Sequence, residues 1–264
     1  MTKTLHVSPE QAGTYPRISD ALAVASPGDQ VLVGPGTYYE NLVVPAFPVT
    51  IAGTESGTVT LVAAEGHRPA VECRQGALSL RHLNIRGLEA PAVSVRGARL
   101  TMVGCVLSAA SAAGLHLGER TEFELDSCQI VDSQLGVQLD ECAGSMANCT
   151  ISRIVSDGVL IRSADPVLRN CLVSEAGYRG VYVYDYARPT LENCTVSRTG
   201  DIGIAVVGAS TVTLRRCRVS EAGGVGISVA ADCSGQIDGC STDQTAPPGI
   251  LVAPGSRAEV LAAT

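Results

Sequence analysis

A chain of 264 residues that is 45% hydrophobic, yet has no Trp and only two Phe, must build its core from Val, Ile, Leu, Ala and Cys, which makes that core thin and layered. Its net charge of −7 supplies no clustered Lys and Arg for phosphate contacts, so nucleic acid is not an expected partner. No run of about 18 apolar residues occurs and no apolar h-region follows the first residues, so the sequence predicts neither a membrane span nor a secretion signal, and places the chain in the cytoplasm.

In chain order, residues 1–30 form a cap region. Ile18, Leu22 and Ala25 share one face of a short helix, Ser26 to Asp29 end it, and a strand from Gln30 to Val33 follows. Such a helix is placed to plug the first coil of a stack and shield its open strand edges. Residues 31–79 are irregular. From residue 80 a repeat takes over: Cys105, Cys128, Cys149, Cys171, Cys194, Cys217 and Cys240 are separated by 23, 21, 22, 23, 23 and 23 residues. Three positions before each Cys stands Met102, Leu125, Met146, Leu168, Leu191, Leu214 or Ile237, with Leu80 ahead of them and Val260 after. A further track, apolar-x-apolar and usually introduced by Gly, runs from Val93/Val95 through Val181/Val183 to Ile250/Val252.

Each unit therefore holds three short segments with the period-two alternation of strands. Units stacked at the usual strand spacing of about 4.8 Å would turn each track into a parallel sheet around one core. Leucine-rich repeats have similar periods but need a helix or extended segment per unit, and no helical periodicity is present. The expected fold is all-β: a right-handed single-stranded parallel β-helix of three sheets and 21–23-residue coils with a short N-terminal capping helix. It forms one domain over 1–264, with regular coils over 80–264, either free-standing or part of a longer protein. The Gly-led track makes the first sheet, the Leu track the second, and the segment after each Cys the third.

Seven of the ten cysteines occupy one core position, as small reduced hydrophobes would. Cys73, Cys142 and Cys233 are irregular, and His6, His67, His82 and His116 share no ligand spacing with any Cys, so no metal site is expected. Asn148, Asn170 and Asn193 precede core cysteines at the corner between second and third sheets and predict an internal Asn ladder in left-handed backbone. Two of them also fit the glycosylation sequon, which would require exposure. Arg169, Glu192, Arg215 and Asp238 alternate in sign one coil apart and predict a register-setting surface stack.

The stretches Tyr15 to Leu22, Pro27-Gly28-Asp29, Gly34-Pro35-Gly36-Thr37-Tyr38 and Glu40-Asn41, together with the later Gly-apolar-x-apolar and Asn-Cys-x-apolar units, resemble the pectin lyase-like β-helix superfamily. The resemblance covers nearly the whole chain and implies the β-helix fold. It leaves function open between polysaccharide lyases, hydrolases, esterases and epimerases on one side and non-enzymatic binding domains on the other. It also implies that a sugar chain, if one binds, lies along the outer face of the first sheet.

On that face the outward positions are Ser94, His116, Gln138, Leu160, Tyr182, Ala205, Ser228 and Leu251, with Arg96, Asp140, Arg162 and Tyr184 two residues on. The segment from Tyr178 to Arg188 holds four of the seven tyrosines. As a ligand site, Tyr182 and Tyr184 would stack on a ligand, beside Tyr178, while Arg162, Arg179 or Arg188 pairs with an acidic group. As plain structure, Leu160 packs on Tyr182 and Arg162 covers Tyr184. Catalytic candidates are Asp140, Asp157, Asp185, Asp201 and His116, though the pattern singles out no carboxylate pair at glycosidase spacing. A lyase would add calcium held by acids such as Asp132, Asp157 and Asp201, but intervening coils supply no matching acid, so no cofactor is expected outside that alternative. The repeat carries short, uniform loops without a wall-forming insertion. The sequence thus favours a non-catalytic module that binds a protein or carbohydrate on its first sheet, the alternative being an enzyme acting on acidic polysaccharide. Replacing Tyr182, Tyr184 and Arg179 together should spare stability, their side chains pointing outward. After Val260, nothing in Leu261 to Thr264 would cover the last coil, which predicts fusion to a further domain or end-to-end self-association.

Overall fold

The computed structural model describes residues 2–54 and 57–263, and of residues 262 and 263 only the backbone. The strands form three parallel sheets stacked into about 11 turns of a right-handed parallel β-helix, with a single helix among the described residues, Ile18–Val24. The predicted tracks are the observed ladders. Val137, Val159 and Val181 lie in register on the first sheet, and Met146, Leu168 and Leu191 on the second.

Stacking begins earlier than the helix suggests, because Thr4–Val7 precedes the helix and pairs with Gln30–Val33, Leu5 against Val31. No sequence period announces this strand, whose burial pattern is too short and too exposed to alternate clearly. The helix buries Ile18, Ala21 and Leu22; Ala25, assigned above to its apolar face, has extended backbone and ends it. The motifs that carried the family resemblance act as structural clamps. Both oxygens of the buried Glu40 carboxylate accept the first helical amides, Ile18 N at 2.8 Å and Ser19 N at 2.9 Å, groups a helix leaves unpaired. Asp29 ties Lys3 N and Ser26 N, and Tyr38 Oη donates to Gly34 O.

The irregularity of residues 31–79 is one of coil length. Partners in the second sheet lie 20 residues apart for Gln30 and Thr50 and 29 apart for Thr50 and Ser79, whereas later steps are 21 to 23. The excess sits in corners, chiefly 63–70. Asn41 straps that loop down, its amide bonding Glu65, Arg68 and Pro69 carbonyls and accepting Glu65 N. This fixed loop lies in the irregular coils, ahead of the repeat that begins at residue 80.

Two corners explain the repeat's punctuation. Between second and third sheets a single left-handed residue makes the turn in each regular coil: His82, Gly104, Ser127, Asn148, Asn170, Asn193, Arg216 and Gly239, with φ from 49 to 61°. The Asn ladder is present, Asn170 Nδ2 donating to Asn148 Oδ1 at 3.5 Å and Asn193 to Asn170 at 3.4 Å, but it lies exposed on the outside, not in the core. Its ends bond Asp126 and Arg216, because a one-residue left-handed corner turns the side chain outward. Where the third sheet passes into the first, Gly136, Gly158, Gly180, Gly203 and Gly226 stack because there is no room for a Cβ. At Gly180 one would press into Val196 and stand 2.6 Å from Gly203 O.

The core is one continuous cluster of aliphatic side chains and thiols. All ten cysteines are free and buried, the three irregular ones included. Outside, Glu192 accepts Arg169 and Arg215 at 3.0 and 3.3 Å, as the alternating stack requires. The last coil is less covered: Val260 and Leu261 are exposed, Ile250 and Val252 half-buried, and Thr264 lies outside the described residues.

Three expectations follow from this packing. Leu191→Asp places an unpaired charge in a fully buried site between two coils and should lower the melting midpoint sharply, measured by circular dichroism. Gly180→Ala should cost about 1–3 kcal/mol in urea denaturation through overpacking alone. Thiol titration in denaturant without reductant should find all ten cysteines, and four or more missing would contradict the reduced column.

Candidate functional site

The first sheet places His116, Gln138, Leu160 and Tyr182 in one outward column and Asp140, Arg162 and Tyr184 beside it. Ser94 and Ala205, expected to be exposed there, are buried at 7% and 3%. Asp140 is likewise buried, at 6% exposure, although it was read as an open acid. Arg162 Nε donates to its Oδ1 at 2.9 Å, and Gln138 Nε2 donates to Oδ2 at 2.7 Å. His116 Nε2 lies 3.1 Å from Oδ2; an ionised carboxylate only accepts, so that nitrogen carries the proton. Burial pushes the Asp140 carboxyl up, but the bonds from His116, Arg162 and Gln138 outweigh it and hold the group below the ordinary carboxylate range. Beneath it, burial and the Asp140 charge push the Cys142 thiol up to about 12. A depression of about 210 Å³ opens here, with Arg96, Glu119 and Glu141 at its rim.

One coil on, Asp157 is also buried rather than free. Arg179 grips it with Nε at 2.8 Å, Nη2 at 3.1 Å and the backbone N at 3.2 Å. The same guanidinium lies 3.3 Å above the Tyr182 ring and 4.5 Å from that of Tyr178. Tyr182 and Tyr184 stack with centroids 4.9 Å apart and planes 13° from parallel. Tyr182 is thus engaged within the chain. Tyr178 is exposed and Tyr184 half-exposed, which leaves these two rings with open surface.

The remaining candidates lie apart. Arg188 is exposed past the corner, two residues before the strand Thr190–Glu192 of the second sheet, so it does not join the tyrosines. Asp185 is exposed in left-handed backbone and accepts Ser163 Oγ at 3.2 Å; Asp201 is half-buried in its corner. Asp132 is held by Arg153, and among the described residues no three His, Cys, Asp or Glu side chains converge as a metal site would require.

The model of the right-handed β-helix region matches residues 135–262 of this chain. No protein of curated function matches it by sequence. Among solved structures, a pectate lyase superposes over 100% of this chain and 78% of its own, with TM-score 0.59 at 12% identity. A rhamnogalacturonan lyase does so over 99% and 87%, with TM-score 0.60 at 10% identity. A periplasmic alginate epimerase covers 89% and 61%, with TM-score 0.54 at 10% identity. This chain folds as a right-handed parallel β-helix. At such identities the likeness is one of fold alone.

These ion pairs have a signal in the sequence. Asp140 and Arg162 are 22 residues apart, and so are Asp157 and Arg179, one coil step in this part of the β-helix. Opposite charges one step apart on an outer face become neighbours. The expected harmlessness of replacing Arg179 is therefore corrected: Arg179→Ala strands a buried carboxylate and should cost roughly 3–5 kcal/mol in urea denaturation. Because the Asp140 pKa is depressed, its contribution to stability is present above the unfolded carboxyl pKa of about 3.9 and is lost as pH falls through the lower folded value. Wild type should exceed Asp140→Asn in stability at pH 6, and the gap should close as pH falls below about 4.

Proposed function

We propose that this β-helix is a non-catalytic binding module whose recognition surface is the strip of Tyr178, Tyr184 and Arg162 on the first sheet. The observation that carries this reading is the state of the acids: both oxygens of Asp140 and of Asp157 are already bonded to cations or donors of the chain itself. An acid that must pass a proton, or a carboxylate that must attack a sugar carbon, needs an open oxygen, and glycoside cleavage needs two such groups facing one bond. What the strip offers outward is aromatic surface and the unpaired side of a guanidinium. That chemistry suits a carbohydrate or protein segment bearing an acidic group.

The alternative, an enzyme acting on acidic polysaccharide, draws support from the shared fold with pectate lyase, rhamnogalacturonan lyase and alginate epimerase, and from the His116–Asp140–Arg162 cluster beside its depression. One experiment separates the two. Wild type and Tyr178→Ala/Tyr184→Ala are titrated with oligogalacturonates by calorimetry, and the same mixtures, with and without calcium, are followed for unsaturated or shortened products. The binding reading expects affinity that falls about thirtyfold per key residue in the variant, with the oligomers intact. Product formation abolished by His116→Gln would instead establish the enzyme, and equal affinity of both proteins would reduce the strip to structure.

A further inference from the structure

The third sheet carries a second surface, separate from the strip just described. Between its N-terminal coils lies a groove of about 740 Å³ lined by Tyr39, Val62, Arg86, Leu88, Val106 and Val131. Tyr39, Val62, Arg86 and Ser108 are register partners in four successive coils, and Val131 stands in the next. At about 4.8 Å per coil the floor is roughly 19 Å long, the reach of about six extended residues. Tyr39 is 69% exposed and Leu88 40%, so this floor holds large apolar side chains in water. Further along, the same column becomes Ser152, Ser174, Ser197 and Ser220, so the large side chains of this column end with the groove.

One edge of the groove is fixed. The Gly66 carbonyl in the Asn41-strapped loop accepts the amides of Glu89 and Ala90, each at 3.0 Å, which holds the segment bearing Leu88 in place. This is the loop that makes the coil from Thr50 to Ser79 the longest of the stack.

In the middle stands Arg86. It is exposed and has neither an ion pair nor a side-chain hydrogen bond to any described residue. The acid that lines the same groove, Asp132, is gripped through both oxygens by Arg153 at 2.7 and 2.9 Å. An apolar partner settling on Tyr39, Leu88 and the valines would bury this guanidinium, and a buried charge without a counter-ion is strongly unfavourable. The occupant must therefore bring a carboxylate to the centre of an apolar body. A second copy of the chain is disfavoured by the net charge of −7 on each.

From this arrangement we infer that the third-sheet groove docks an extended, apolar protein segment with a central acidic side chain, which Arg86 pairs while Tyr39, Leu88, Val62 and Val106 cover its flanks. Recognition combines a fork-shaped, desolvated ion pair with aromatic contact, the composition typical of interface hot spots.

The test uses a synthetic set of fluorescein-labelled seven-residue peptides with one central Glu and every combination of Leu, Val and Phe beside it, against a matched set with Gln, read by fluorescence anisotropy on the full chain. At least one Glu peptide should bind at least tenfold more tightly than its Gln match. Arg86→Gln should erase that difference, Tyr39→Ala should weaken both members of the pair, and Tyr178→Ala/Tyr184→Ala on the first sheet should change neither. Because Arg86 and Tyr39 are exposed, their variants should melt with wild type, which circular dichroism verifies. Absence of binding across the set, equal binding of Glu and Gln peptides, or a Glu preference that survives Arg86→Gln overturns the inference. So does a concentration-dependent dimer in sedimentation that Arg86→Gln dissolves, which would assign the groove to a second copy. The first-sheet reading can fail in its own titration without touching any of these outcomes.

Discussion

Parallel pairing of each coil with the next, at about 4.8 Å, sets every residue against its counterpart one turn away, above and below. In a solenoid this contact repeats down the length of the molecule, so a side chain suits its site only when its neighbours in the column suit it too. Glycine at the third-to-first corner shows the strictest form, since each leaves just enough room for the carbonyl of the glycine in the following coil. Thiols, leucines and valines fill the inner columns for the same reason: small or regular side chains stack without voids.

The same pairing governs charge. On the outer faces a like pair one coil apart would repel at close range, and an opposite pair attracts. Acids accordingly meet Arg at Asp132 and Arg153, Glu175 and Arg198, and Glu192 and Arg215. The exposed pairs each contribute little, about 0.2–1 kcal/mol. Asp140 and Asp157 differ because burial makes their partners obligatory. Their cations are components of the sheet first, and whatever a ligand meets on this face is the outward side of an ion pair already formed.

This bears on how a β-helix acquires a binding surface. Its repeat supplies flat, self-satisfied faces, and departures from the repeat supply the features: the long coil from Thr50 to Ser79 under its Asn41 strap, the tyrosine cluster around Arg179, and Arg86, without a counter-ion among the described residues. The first sheet and the third are thus marked in different ways, one by aromatic rings backed by buried ion pairs, the other by apolar side chains around Arg86, which pairs with no acid among the described residues.

The repeat period alone determined the fold, the three sheets, the register and the reduced cysteines, because a 21–23-residue step with alternating apolar positions admits one way of burying its apolar faces. It also showed the Asn ladder and the charge stacks, whose members are one step apart. It could not assign the strand before the helix, which is too short to display a period, or the outward placement of the Asn ladder, which depends on the hand of a one-residue corner. Nor did it distinguish open acids from occupied ones: Asp140 and Asp185 both looked like surface carboxylates, and only the packing of His116, Gln138 and Arg162 around the first separates them. The groove on the third sheet was equally hidden, since Tyr39, Leu88 and Val131 come from coils of unequal length and meet only when those coils are stacked. Periodicity is a property of the chain and is legible there; convergence across irregular coils is a property of space, and tertiary structure alone decided it.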